Sequence, residues 1–147
     1  VCMIVVFTPT YFDLERPYCA REFKAMEELE TLRLGLLGES DVKLHGLIIP
    51  IVFRGEKFLP PNIRSRRHYY RLDSYQLSDT AMSRNPSYTG TIKEIAEYIV
   101  DRCEQFRGLN VEHQRAIDCE AFSFPTDEEV YPWLKDVAGS VMPFPGP

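Results

Sequence analysis

The first 26 residues, VCMIVVFTPTYFDLERPYCAREFKAM, constrain this chain more than any other stretch. Val1–Phe7 is an apolar run with no polar alternation, which suits a strand covered on both faces, as in a parallel sheet. It stops at Thr8-Pro9. A short loop leads to Pro17, and Tyr18-Cys19-Ala20-Arg21-Glu22-Phe23 then opens a long helical pattern. The unit is strand, loop, helix, with a carboxylate in the first turns of the helix. Ligands of open α/β sheets collect at the carboxyl ends of the strands. Glu22 is therefore expected beside that edge.

The helical period places Cys19, Phe23, Met26, Leu29, Leu34, Leu36 and Leu37 in one broad stripe, with Arg21, Lys24, Glu28 and Thr31 opposite. The pattern predicts a helix over Tyr18–Leu36 that ends at Gly35 or Gly38, with Glu39-Ser40-Asp41 as loop. Gly46–Phe53, GLIIPIVF, reads as a second buried strand. Pro50 inside it is awkward, because proline removes a ladder donor. Arg54-Gly55-Glu56 reads as a turn, Leu59-Pro60-Pro61-Asn62 as an extended loop, and Arg67–Leu72 as a weak third strand. Asp73–Ser87 has little periodicity. Thr91-x-x-Glu94 fits a capping box ahead of a helix that runs to Phe106 and closes at Gly108. The order β-α-β-β-α argues for an α/β fold with a parallel sheet.

The last 40 residues change character. Residues 1–107 carry 15 basic and 15 acidic side chains, whereas 108–147 hold Arg115 and Lys135 against seven acids, which accounts for the whole net charge of −5. This irregular acidic tail also carries five of the eleven prolines. A short helix over Asp127–Val137 is expected behind the box Thr126-x-x-Glu129, limited by Pro132. The domain expectation is a unit over 1–107 and an extension or linker over 108–147.

An acidic chain does not suit nucleic-acid binding, which favours a basic surface. No apolar run approaches the ~20 residues of a membrane span. Cys2, Cys19, Cys103 and Cys119 form no C-x-x-C pair, and His45, His68 and His113 stand at no metal spacing. No metal and no cofactor is expected, and reduced thiols point to a cytoplasmic protein. The chain also begins inside a strand-like run without a Met. It reads as a trimmed chain whose earlier elements are missing, marginal alone and prone to associate through its first strand.

Glu22 lies on the buried edge of the helical stripe. A partly desolvated carboxylate near a helix N-terminus can stabilise developing positive charge or accept from a sugar hydroxyl. It can equally be a helix carboxylate paired with a neighbouring base. Glu30 shares the stripe without any mark of function, so Glu30→Gln is expected to change the rate of any chemistry at Glu22 little. Cys19 is read as a packed thiol rather than a nucleophile. Arg64, Arg66, Arg67 and Arg71, with His68, form a basic cluster: a solvated loop, a phosphate contact or an assembly surface.

The stretch T-P-T-Y-F…P-Y-C-A-R-E-F resembles the third strand and following helix of Toll/interleukin receptor (TIR) domains, with the bacterial-type proteins as the likeness. Thr8, Tyr11, Cys19 and Glu22 match that family's pattern, and Tyr18 stands where the family usually has Trp. Gly46–Phe53 is similar to its fourth strand, internal proline included. The resemblance covers residues 1–107. It implies a flavodoxin-like parallel sheet with flanking helices, of which this chain holds the last three strands. It also implies an NAD+ nucleosidase that releases nicotinamide and leaves linear or cyclic ADP-ribose, with NAD+ as substrate rather than cofactor. Glu22 is then the catalytic residue, with Thr8, Tyr11 and Cys19 at the substrate. Self-association through TIR surfaces, in defence or signalling, is implied too, with no nucleic-acid or membrane partner. The alternative within the family is a non-catalytic adaptor module.

Overall fold

The computed structural model describes residues 2–38, 46–75, 82–108 and 123–139. Three parallel strands lie in the order β1-β2-β3, with β1 Met3–Phe7, β2 Ile48–Val52 and β3 Tyr70–Arg71. Met3 is in register with Ile48 and Phe7 with Val52. The helices are α1 Tyr18–Leu36, α2 Pro61–Arg66, α3 Pro86–Arg107 and α4 Asp127–Gly139. The α/β class, the parallel pairing and the limits of α1 agree with the sequence pattern. The loop expected at Glu39-Ser40-Asp41, and His45, His113 and Cys119, lie outside the described residues.

Two apolar layers hold the sheet. Val5, Phe7, Ile48 and Val52 pack on one face with Phe12, with Phe23, Met26 and Leu34 of α1, and with Val130, Leu134 and Val137 of α4. Phe12, Phe23 and Trp133 form a ring cluster here: Phe12 meets both others edge-on at 5.4 Å, and Phe23 stacks on Trp133 at 5.8 Å. Helix α4, expected as part of an extension, thus buries its apolar side in the same core as β1 and α1. Its capping box forms as expected, with Thr126 N–H donating to Glu129 Oε2 at 2.8 Å and Glu129 N–H to Thr126 Oγ1 at 3.3 Å. On the other face, Ile49, Ile51, Tyr70 and Leu72 pack against Ile95 of α3.

Four expectations are corrected. Strand β1 is covered on one face only: Val5 and Phe7 are buried, while Ile4 and Val6 are 49% and 51% exposed. The reason is that α3 lies over β2 and β3. Leu59-Pro60-Pro61-Asn62 is not extended throughout, because Pro61 starts α2, its fixed φ suiting the first helical position. Helix α3 starts at Pro86 rather than Thr91. Asn85 Oδ1 caps it by accepting from Ser87 N–H at 3.0 Å and Tyr88 N–H at 3.3 Å, and Thr91 sits inside, donating back to Ser87 C=O. Finally, β3 is two residues long instead of six.

The ladder explains that short strand. Leu72 N–H donates to Val52 C=O at 2.9 Å, so the even-numbered residues of β2 turn their backbone groups toward β3. Pro50 is one of them. Its missing N–H would have met the chain near His68, just before β3 begins, and there the ladder has no donor. The odd-numbered residues of β1 face β2, as Met3 N–H donates to Leu47 C=O and Phe7 C=O accepts from Phe53 N–H. Ile4 and Val6 therefore turn their backbone groups to the open edge of the sheet.

Glu30 is the centre of a buried donor–acceptor knot and not an idle member of the stripe. It is 1% exposed. Its Oε1 accepts from Leu47 N–H at 2.5 Å and Ile48 N–H at 3.0 Å, at the start of β2. Arg67 Nη1 lies 2.9 Å from Oε1 and 2.7 Å from Oε2, and Arg67 Nη2 donates to Glu27 at 3.1 Å. Breaking a buried pair by removing one partner strands the other charge, at about 3–5 kcal/mol. Glu30→Ala is therefore expected to lower unfolding free energy by about 3–5 kcal/mol in urea titration, and Glu30→Gln to lower it as well, whatever its effect on rate.

Candidate functional site

Glu22 stands where β1 hands over to α1. Thr8 is the first residue past the strand, and Tyr11 N–H closes a turn onto Thr8 C=O at 2.9 Å. Thr8 Oγ1 lies 3.3 Å from Thr10 Oγ1. The turn swings Tyr11 back over the strand end, with its ring 6.3 Å from Phe7 and edge-on to Phe12 at 4.9 Å. The loop after β2 braces this turn. Gly55 has φ +72°, and a Cβ there would lie 2.8 Å from Pro9 and 2.9 Å from Phe58, so only glycine lets the two loops meet.

Tyr11, Cys19 and Glu22 are brought within electrostatic reach of one another. Burial, and behind it Cys19 and Glu22, pushes the Tyr11 phenol well above its ordinary value. Burial and then Glu22 raise the Cys19 thiol, so it stays protonated at neutral pH. That suits a packed thiol and not a nucleophile. Glu22 itself is half-buried, and among the described residues no cation or N–H donor engages it. Its neighbour Arg21 is committed elsewhere. Arg21 Nε donates to Pro125 C=O at 2.6 Å, its guanidinium lies over the Phe124 ring at 4.9 Å, and its Nη1 is 3.2 Å from Asp127 Oδ1. The Asp127 contact is an ion pair without hydrogen-bond alignment, since Oδ1 has no hydrogen-bond partner. The arrangement is thus a carboxylate with its charge uncompensated, a phenol and a thiol held neutral, and a threonine turn, all at the carboxyl end of β1.

The four arginines do not form one basic surface. Arg67 is 5% exposed and turned inward to Glu27 and Glu30, because Pro50 keeps it out of β3 and Glu30 waits inside. Arg64 Nη2 donates to Glu56 C=O at 2.6 Å, and Arg71 contacts Glu56 at 3.1 Å and Asp73 at 3.2 Å. Tyr69 O–H also donates to Glu56 at 2.8 Å, so Glu56 gathers Arg64 and Arg71 while Arg66 stays apart. Such a group is internally neutralised and offers less to a phosphate than free guanidinium groups would.

Sequence reasoning missed a cavity of about 370 Å³ between α1, α2 and α4, lined in part by Glu28, Asn62, Arg66, Arg67 and Trp133. Glu22 is not on its wall. The sequence signal for it was Glu30, a carboxylate inside an apolar stripe, which needs a partner from elsewhere in the fold. Among the described residues, no group of three or more His, Cys, Asp or Glu could hold a metal ion, and no helix is long and apolar enough to cross a membrane. Comparison with protein-family models, with curated proteins and with solved structures found no match.

The raised phenol and thiol make stability pH-dependent in one direction. Both groups hold their proton more firmly in the folded state, so above the unfolded values the unfolded chain ionises first. Stability is expected to be insensitive to them well below pH ~8.5, to fall as pH rises past the unfolded thiol at about 8.5, and to fall further past the unfolded phenol at about 10. Urea titrations from neutral to alkaline pH check this, and Tyr11→Phe should flatten the alkaline loss.

Proposed function

We propose that this chain is part of a TIR-type NAD+ nucleosidase with a flavodoxin-like sheet, and that Glu22 is its catalytic carboxylate. One observation carries the reading: Glu22, half-buried and unpaired among the described residues, lies beside Tyr11 and Cys19 at the carboxyl end of β1, where an α/β sheet binds ligands. These three residues, with Thr8, are those on which the likeness to that family rests.

The chemistry asks little of such a site. The C1′–N bond to nicotinamide breaks, its electron pair returns to the pyridine nitrogen, and nicotinamide leaves neutral without a general acid. The ribose is left as an oxocarbenium-like cation. An uncompensated carboxylate steadies that charge and accepts from a ribose hydroxyl. Water then adds at C1′ and loses a proton, giving ADP-ribose; attack by the adenine ring gives the cyclic product instead. Cys19 and Tyr11, both neutral, line the site without competing for the cation.

Loss of one such electrostatic group costs about 3–4 kcal/mol, a hundredfold to a thousandfold in rate. Glu22→Gln keeps the volume and loses the charge. In the full-length, activated protein it is expected to abolish nicotinamide release at saturating NAD+, with circular dichroism unchanged. Wild-type turnover in that variant would sink the catalytic assignment.

The open edge of β1 favours a second reading, assembly without catalysis. Met3–Phe7 carries no charge and no proline, among the described residues no strand pairs with the outer side of β1, and Ile4 and Val6 have half-exposed side chains. Val6→Lys is expected to reduce self-association in sedimentation velocity. If it does so while wild type releases no nicotinamide, the adaptor reading is the better one.

A further inference from the structure

The cavity between α1, α2 and α4 has a charge inventory that narrows what can enter it. Four of its charged groups are committed to one another. Lys24 Nζ lies 2.8 Å from Glu27, and Arg67 bridges Glu27 at 3.1 Å and Glu30 at 2.7 Å. Arg67 and Glu30, both over nine-tenths buried, are among the residues that line it. Two charged lining groups remain, and among the described residues nothing engages either: Arg66 on α2 and Glu28 on α1. They are opposite in sign and come from different helices.

The uncharged lining agrees. Asn62 Oδ1 is taken by Ile63 N–H at 2.9 Å, which leaves the Asn62 amide N–H groups to give. Ile63 is buried and supplies an apolar floor. Trp133 has one face stacked on Phe23 and carries the Lys24 ammonium 5.2 Å from its ring centre, so it offers an edge rather than a free face for stacking. A volume of about 370 Å³ sits within the ~300–1,000 Å³ of small-molecule sites.

We infer that this cavity binds a small zwitterion of the α-amino-acid type with an apolar side chain. Its carboxylate pairs with Arg66 and the Asn62 amide, its ammonium with Glu28, and its side chain rests on Ile63 and the Trp133 edge. A lone anion or a lone cation would satisfy one wall and leave the other charge facing it. A net-neutral ligand brings in no uncompensated charge beside the Glu30–Arg67 pair. The site is separate from Glu22, and its standing does not depend on the nucleosidase reading.

Trp133 is the single tryptophan of the chain and lines the cavity, so its fluorescence reports occupancy. L-leucine, L-methionine and L-phenylalanine are titrated into the full chain, alongside 4-methylpentanoate and 3-methylbutylamine, which keep leucine's side chain but lack the ammonium or the carboxylate. At least one amino acid is expected to saturate with a Kd of about 1 mM or below, and both truncated analogues to bind about tenfold more weakly or worse. Arg66→Gln should weaken the amino acid but not the amine, and Glu28→Gln should weaken the amino acid but not the acid. Both side chains are exposed at the rim, so both variants should fold, which circular dichroism checks. No saturable change with any of the amino acids, analogues binding as well as the parent, or variants that bind like wild type would each overturn the assignment.

Discussion

The buried contact between Glu30 and Arg67 is the tie on which the rest of the structure depends. It joins three parts of the chain that share no local sequence: the middle of α1, the first residues of β2, and the segment between α2 and β3. Apolar packing alone would let α1 slide along the sheet, because dispersion and area burial are non-directional. A carboxylate that accepts from two consecutive backbone N–H groups and a guanidinium allows one placement. Once that placement is set, Phe23 and Leu34 meet the strand face, and the first turn of α1 is carried to the end of β1. The position of Glu22 is therefore a consequence of Glu30, two turns away on the same helix.

Helix α4 adds a second constraint at the opposite end of α1. It shares the aromatic cluster through Trp133, and the residues leading into it take Arg21 away from the helix surface beside Glu22. The charge of the acidic tail is thus used locally: Asp127 meets Arg21, and Glu129 closes its own helix start. A segment that differs in composition from the rest of the chain is in this way part of the same packed layer.

Period and punctuation made the large elements legible. The apolar run that ends at Thr8-Pro9 marked the first strand, Met3–Phe7, and the stripe from Cys19 to Leu37 set the limits of α1 correctly. Some of the failures turned on a partner distant in sequence and others on local caps. One-sided cover of β1 depends on where α3 lies. The start of α3 was set by Asn85-Pro86, inside a stretch read as having little periodicity, and not by Thr91-x-x-Glu94. The arginine cluster was dense in sequence but divides in space, because side chains one residue apart leave a short helix and a strand in different directions. The placement of Glu22, Cys19 and Tyr11 together was legible because one strand–loop–helix unit carries all three.

Pro50 bears on all of this through what it withholds. A strand residue with an N–H at that position would invite the chain near His68 to extend β3 backward. Arg67 would then be drawn toward an extended ladder, where alternation sets a side chain's direction by its register. With no donor offered, the chain stays out of the sheet until Tyr70, and Arg67 is free to turn under α1 and reach Glu30. One absent hydrogen on the central strand thus acts as a punctuation mark for its neighbour. It decides where pairing begins, and in doing so it releases the cation that anchors the helix.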